Sequence, residues 1–320
     1  MHAEILSGNT PCPLGCPLAD DTILVGRDRL HNLPGEFTVV KCRTCGLMRT
    51  DPRPTPETIG YYYPDNYGPY LGTRVDPAKV SSGPLPVWKR LAKKVFQFNT
   101  QHLPPLPPGR MLEVGCASGA FLHKMACQDW EVEGVEFSQD AAHSARSLGY
   151  SVYTGRIEDV PDPNYLYDLV VGWMVLEHLH NPLLTLNKLH RWVKPGGWLV
   201  ISVPNAAALE FRLFKDAWYA LQLPNHLFHY TPQTLEMLLA RAGWHMEKAF
   251  HHRILTNLIA SLGHCLQDKK PWSRLARCMV NLPNSGVAVN VALYPLAYVL
   301  SLFGQTGRMT VWAKRMERLS

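Results

Sequence analysis

Three groups of residues have types and spacings that can do chemistry. The run Met111-Leu112-Glu113-Val114-Gly115-Cys116-Ala117-Ser118-Gly119 is apolar and then breaks into Glu-x-Gly-x-x-x-Gly. Glycines at such a turn let the backbone bend sharply and approach a ligand that a Cβ would hold off. Further on, Val132-Glu133-Gly134-Val135-Glu136 reads as a second strand ending on an acid, placed to accept hydrogen bonds from ribose hydroxyls. A glycine-rich turn alone could equally precede a pyrophosphate, so its context decides. The second group is Glu177-His178 with His226 and His229; histidine suits proton removal from a hydroxyl or carbon acid near neutral pH. The bland alternative is that His178 buttresses its loop and that His226 to Tyr230 pack. The third group is Cys12, Cys16, Cys42 and Cys45, two knuckles able to present four thiolates to zinc, with His31 as a spare ligand. The Cys42-x-x-Cys45-Gly46 knuckle has the usual spacing; the first has three residues between its cysteines, and four unrelated free thiols are the alternative. Four thiolates leave no open position, so such a metal is structural.

These groups need a scaffold, and the pattern supplies one. From Arg110 onward strands and helices alternate, which argues for an α/β fold with a parallel sheet covered by helices on both faces. Helices are expected over residues 118–128 and 139–148, and another begins at Asn181-Pro182, an Asn cap with proline in the first turn. Strands are expected at Tyr167 to Val171 and Trp198 to Val203, then at Trp244 to Phe250 and Arg308 to Arg315. The chain of 320 residues, 46% hydrophobic, can bury one large core or two modest ones. A formal charge of +6 spread along the chain argues against a dedicated nucleic-acid surface. Residues 1–10 lack the basic start and apolar run of a signal peptide, so a cytoplasmic location with reduced thiols is expected.

In the order and identity of its motifs the chain resembles class I S-adenosylmethionine-dependent methyltransferases, in particular the ubiquinone-biosynthesis O-methyltransferase-like branch. The match rests on the Glu113 to Gly119 turn, Glu136, Leu176-Glu177-His178, and Lys194-Pro195-Gly196-Gly197 before Val203-Pro204-Asn205. It implies a Rossmann-like seven-stranded sheet with S-adenosylmethionine as cofactor and a small-molecule acceptor. By resemblance Gly115, Cys116 and Gly119 line the methionine and ribose, Glu113 orients the loop or the cofactor's amino group, and Glu136 takes the ribose hydroxyls. Phe137 would pack on adenine, Ile157 with Glu158 or Asp159 would read its amine, and Trp173 and Met174 would line the methionine end. Arg156 stands where relatives often carry an acid. Some relatives form a divalent-metal site with a further Glu where this chain has Met174, so a catalytic metal is not expected. Glu177, His178, His226 and His229 are the candidate catalytic residues. The acceptor is expected to be a sugar or lipid-linked glycan intermediate, with a quinone-like phenol or a catalytically inactive scaffold as alternatives.

Residues 1–50 are then a zinc-ribbon-like segment, 51–108 a connector and lid rich in tyrosine (Tyr61, Tyr62, Tyr63, Tyr67, Tyr70) with a helical stretch over 87–98, and 109–320 the methyltransferase domain. The tyrosines could line the substrate mouth or simply dock on the domain. Residues 251–307 interrupt the last two strands as an apolar helical insertion, and 286–304 carry no charge. Both ends must return to one sheet, which opposes a single crossing; a buried or lid-forming hairpin and peripheral membrane contact through 271–304 remain open. Oligomeric state is not readable.

Overall fold

The computed structural model describes residues 5–6, 10–63, 101–284 and 287–316. The expected helix at 87–98, Tyr67 and Tyr70 lie outside them.

The N-terminal part is all β: β1 (Ile5–Leu6), β2 (Asp20–Arg27), β3 (Glu36–Cys42), β4 (Met48–Thr50) and β5 (Arg53–Pro54). The main domain follows with β6 (Arg110–Val114), α1 (Ala120–Ala126), β7 (Glu131–Glu136), α2 (Gln139–Ser147), β8 (Ser151–Thr154), β9 (Tyr167–Trp173), α3 (Pro182–Trp192) and β10 (Val193–Pro204). After β10 come α4 (Leu209–Phe214), β11 (Phe228–His229), α5 (Pro232–Arg241) and β12 (Trp244–His251). The insertion folds as α6 (Thr256–Lys269), α7 (Arg274–Asn281) and α8 (Val287–Leu302), and β13 (Arg308–Arg315) closes the chain.

The expected sheet is present: seven strands in the order β12-β13-β10-β9-β6-β7-β8, with β13 antiparallel to both neighbours. The order reverses beside β6, so a crevice opens above the ends of β6 and β9, where α/β sheets bind ligands. Local signals account for the helices. Asn181 accepts from the Leu184 N–H at 3.3 Å with Pro182 in the first turn, and Thr231 with Thr234 forms a reciprocal cap on α5. Alternation splits the core. One face of the sheet packs Leu112, Val170, Leu199, Val311 and Trp244 against α3 and α5, and the other packs Met111, Leu169, Val171 and Val200 against α1 and α2.

The second sheet was not anticipated. Its order is β11-β4-β3-β2, so a strand from residues 228–229 completes the cysteine-bearing ribbon, pairing Phe228 with Arg49 and His229 with Met48. Arg29 on the ribbon side also pairs with Asp216 at 2.7 Å and with Asp268 of α6 at 2.9 Å, tying ribbon, post-β10 loop and insertion together.

Candidate active site

The glycine turn at the end of β6 is shaped for close approach. Gly115 and Gly119 both have positive φ, +71° and +82°, and a Cβ at Gly115 would collide with Val175, at Gly119 with Ala145. Glu136, 5% exposed, uses one carboxylate oxygen to accept from the Ala117 N–H and the other to accept from Ser138 N–H, both at 2.8 Å. It thereby holds Ala117 at φ +46°, a conformation alanine rarely adopts unaided. Each oxygen keeps a second lone pair that a diol could use. Burial raises the Glu136 carboxyl despite those N–H bonds, and raises Glu113 further, with Glu136 repelling it. One Glu113 oxygen has no partner.

The other cofactor candidates divide by placement. Phe137 is 50% exposed beside Glu136, a ring face open to a ligand. The Cys116 side chain is buried against Gly134 in the core, so only its backbone faces the turn. Ile157 is buried, Glu158 accepts from the Thr185 hydroxyl at 2.9 Å, and Asp159 is paired with Arg156. Trp173 packs edge-on against Phe121 with a buried, unpartnered Nε1. Met174, at φ +58°, donates its N–H to the Ser202 carbonyl.

Beyond β9, Glu177, His178 and His226 converge, with ligand-type atoms all within 4.8 Å of one another. Glu177 is fully buried with both oxygens unpartnered, and burial lifts its carboxyl to about 8. His178 Nδ1 lies 2.9 Å from the Asn225 carbonyl and 2.8 Å from the Tyr63 hydroxyl. A carbonyl only accepts, so Nδ1 carries the hydrogen and Nε2 the lone pair. Burial brings His178 down to about 4, keeping the ring neutral at pH 7. His226 repeats the device, its Nδ1 2.9 Å from the Ala220 carbonyl and its ring edge-on to His178 with centroids 4.6 Å apart. His229 instead lies inside the joint between ribbon and domain, buried, 3.3 Å from the Thr50 hydroxyl and pushed down to about 3 by burial. Thr50 also donates to the His226 carbonyl at 2.7 Å, so ribbon strand β4 positions the catalytic-side segment directly. Sequence reasoning missed Thr50, Asn225 and Tyr63 in these roles; only Tyr63 carried a signal, as part of the tyrosine cluster.

The four ribbon cysteines do meet. Their sulfurs lie within 4.8 Å of one another, with Cys12 and Cys45 3.5 Å apart, and none is in a disulfide. Tetrahedral zinc with Zn–S near 2.3 Å separates its sulfurs by roughly 3.8 Å, so the donor set fits. Burial works against the Cys42 thiolate, yet the N–H groups of Cys45 and Thr44 bring it down to about 7.

Residues 87–249 match the family described as "Methyltransferase domain". Over 158 residues the chain is 29% identical to a ubiquinone biosynthesis O-methyltransferase of Thiobacillus denitrificans, covering 45% of this chain and 68% of that protein. The corresponding figures for the same-named protein of Azorhizobium caulinodans are 27% over 165 residues, 48% and 65%. The match therefore spans about two thirds of the length of these relatives. Among solved structures, the [4+2]-cyclase SpnF superposes with a TM-score of 0.50 at 17% identity, over 82% of this chain and 97% of that one. An S-adenosylmethionine-dependent methyltransferase from Mesorhizobium loti gives 0.45 at 17% identity, over 70% and 96%. The cyclase likeness speaks to fold alone, since one fold carries several reactions.

Proposed function

The chain belongs to the methyltransferase-domain family and is an S-adenosylmethionine-dependent methyltransferase, and from that premise we propose that it methylates an oxygen of a small molecule with His178 as proton acceptor. When bound, the cofactor supplies an electrophilic methyl group whose departure leaves a neutral thioether. What remains for the protein is alignment and proton removal. The glycine turn and Glu136 would hold the ribose end, Phe137 the adenine, and Glu113 and Trp173 the methionine end. Locking Nδ1 to the Asn225 carbonyl is the observation that carries the reading, because it leaves Nε2 as the basic nitrogen of a neutral ring. Glu177, kept protonated at neutral pH by burial, can donate a hydrogen bond there. A phenolic hydroxyl of a quinone-like ring is the acceptor that the curated relatives favour; a sugar or lipid-linked glycan hydroxyl or carbon is the second reading. Calorimetric titration with S-adenosylhomocysteine, then labelled methyl transfer onto phenol and sugar panels, tests both. Absence of S-adenosylhomocysteine binding by folded protein would sink the proposal.

The ribbon reading adds a structural zinc. We expect one zinc per chain, lost when Cys42 and Cys45 are replaced by serine. Because Thr50 supports His226, methyl transfer should fall with the metal while S-adenosylhomocysteine affinity holds. Full activity in a metal-free, double-serine protein would remove this coupling.

We further propose that the enzyme docks on a membrane surface through the insertion. Helix α8 exposes Val291, Leu296, Val299 and Leu302 along one stripe, continued by Phe303 at 73% exposure, and Trp272 is 90% exposed. From Lys269 to Met316 there is no Asp or Glu, whereas Lys269, Lys270, Arg274 and Arg277 occur together. Apolar anchors with unopposed cations suit an anionic lipid surface, and a second copy would set cation against cation. Among the described residues no helix is long and apolar enough to cross a membrane, so docking is the proposal. Sedimentation should show binding to anionic but not neutral vesicles, weakened by salt and by Trp272→Ser with Phe303→Ser. Protein that stays in the supernatant, or that dimerises through this stripe, would end it.

A further inference from the structure

We propose that Arg308, held by Ser202, forms a subsite for an anionic group, a carboxylate or phosphate, carried by the methyl acceptor; this rests on the methyltransferase reading above. Arg308 opens β13 opposite Pro204, at the rim where the parallel strands end. Ser202 registers with Trp173 on one side and Thr310 on the other, so alternation puts Trp173, Ser202, Thr310 and Arg308 on one face. That face is also the one Glu113 and Glu136 share with Met111 and Val132, so cofactor and acceptor halves lie along a single rim.

The hydrogen bonding is incomplete in one direction. Arg308 donates its Nε–H to the Ser202 hydroxyl at 3.0 Å, and Ser202 donates onward to the Met309 carbonyl at 3.2 Å, which fixes the plane of the guanidinium. Its two terminal amino groups make no hydrogen bond among the described residues, where the side chain's one partner is Ser202. The guanidinium thus presents donors only. Glu177 is the one charged group whose field reaches Arg308 enough to matter, yet it forms no ion pair with it, and burial leaves that carboxyl protonated at neutral pH. Burial disfavours the charge of Arg308, no counter-ion pairs with it among the described residues, and a bound anion would relieve that cost. Two parallel N–H groups match a carboxylate or phosphate in a way lysine cannot. The cofactor's own carboxylate is the other available anion. However, β13 lies three strands from the glycine turn on β6, roughly 14 Å at the usual strand spacing, which favours the acceptor.

The test uses the full chain saturated with S-adenosylhomocysteine and two probes that differ only in a carboxylate, 3,4-dihydroxybenzoate and catechol. We expect the benzoate to bind about tenfold or more tightly than catechol. Inorganic phosphate should compete with it, more strongly than acetate does if the natural group is a phosphate ester. Arg308→Gln should erase the preference and Arg308→Lys retain part of it, with S-adenosylhomocysteine affinity unchanged within about twofold. Equal binding of the two probes, or no binding of either, overturns the subsite. Loss of S-adenosylhomocysteine affinity in a folded Arg308→Gln protein also overturns it, because the anion served is then the cofactor's. Failure of the unaltered chain to bind S-adenosylhomocysteine would instead strike the methyltransferase reading itself.

Discussion

Replacing Glu136 by alanine should weaken S-adenosylhomocysteine binding by about tenfold or more, equivalent to about 1.4 kcal/mol. Two losses combine. The carboxylate is positioned to accept charge-assisted hydrogen bonds from ribose hydroxyls, which a methyl group cannot replace. It also receives the N–H groups of Ala117 and Ser138, so its removal leaves two buried donors unpaired and frees Ala117 from its left-handed backbone. Glutamine should rescue little, because its amide nitrogen would face an N–H donor. Calorimetry on folded protein is the check, and unchanged affinity would remove Glu136 from the cofactor site.

His178→Ala should lower kcat by about a hundredfold or more with S-adenosylhomocysteine affinity intact, as expected for a lost general base. The pH profile discriminates further. Burial lowers this imidazole to about 4, so its neutral form, and with it the rate, should persist as pH falls through the usual imidazole range and fail only near 4. An acid limb near 6.5 would mean a solvated histidine, or another base. Stability moves in the same sense. His178, His226 and His229 are all held neutral below their ordinary range, while the unfolded chain takes up protons there. The contribution of these three imidazoles to folding stability should therefore decline as pH drops from about 6.5 toward 4, opposed by Glu177, whose raised carboxyl contributes in the opposite sense, and melting curves of the His178→Ala and unaltered proteins separate the two.

The parts that were legible are those written in short-range pattern. The glycine turn, the acid ending β7, the Asn181-Pro182 cap and the alternating strands each declare themselves within about ten residues. Even the last strand, Arg308 to Arg315, could be placed, because the resemblance implies a seven-stranded sheet that it completes. What escaped depends on contacts between distant segments. Nothing near Thr50 announces that it will hold His226, and nothing near Phe228 says that it will pair with Arg49. Arg308 looked like an ordinary strand-opening cation; only its register against Pro204 puts it on the rim. His226 and His229, three apart in one segment, both read as candidate catalytic residues with His226 ahead, and in the fold one faces His178 while the other is sealed against Thr50.

The strand at residues 228–229 belongs by sequence to the catalytic domain and by hydrogen bonding to the ribbon. The two regions therefore cannot open independently. In the native state, amide protons of β4, β11 and the His226 segment should exchange as one cooperative unit, with a shared opening free energy distinct from that of β6 and β7. Damage to the cysteine knuckles would then produce a chain that still captures its methyl donor but no longer spends it, a partial failure located more than a hundred residues from the lesion.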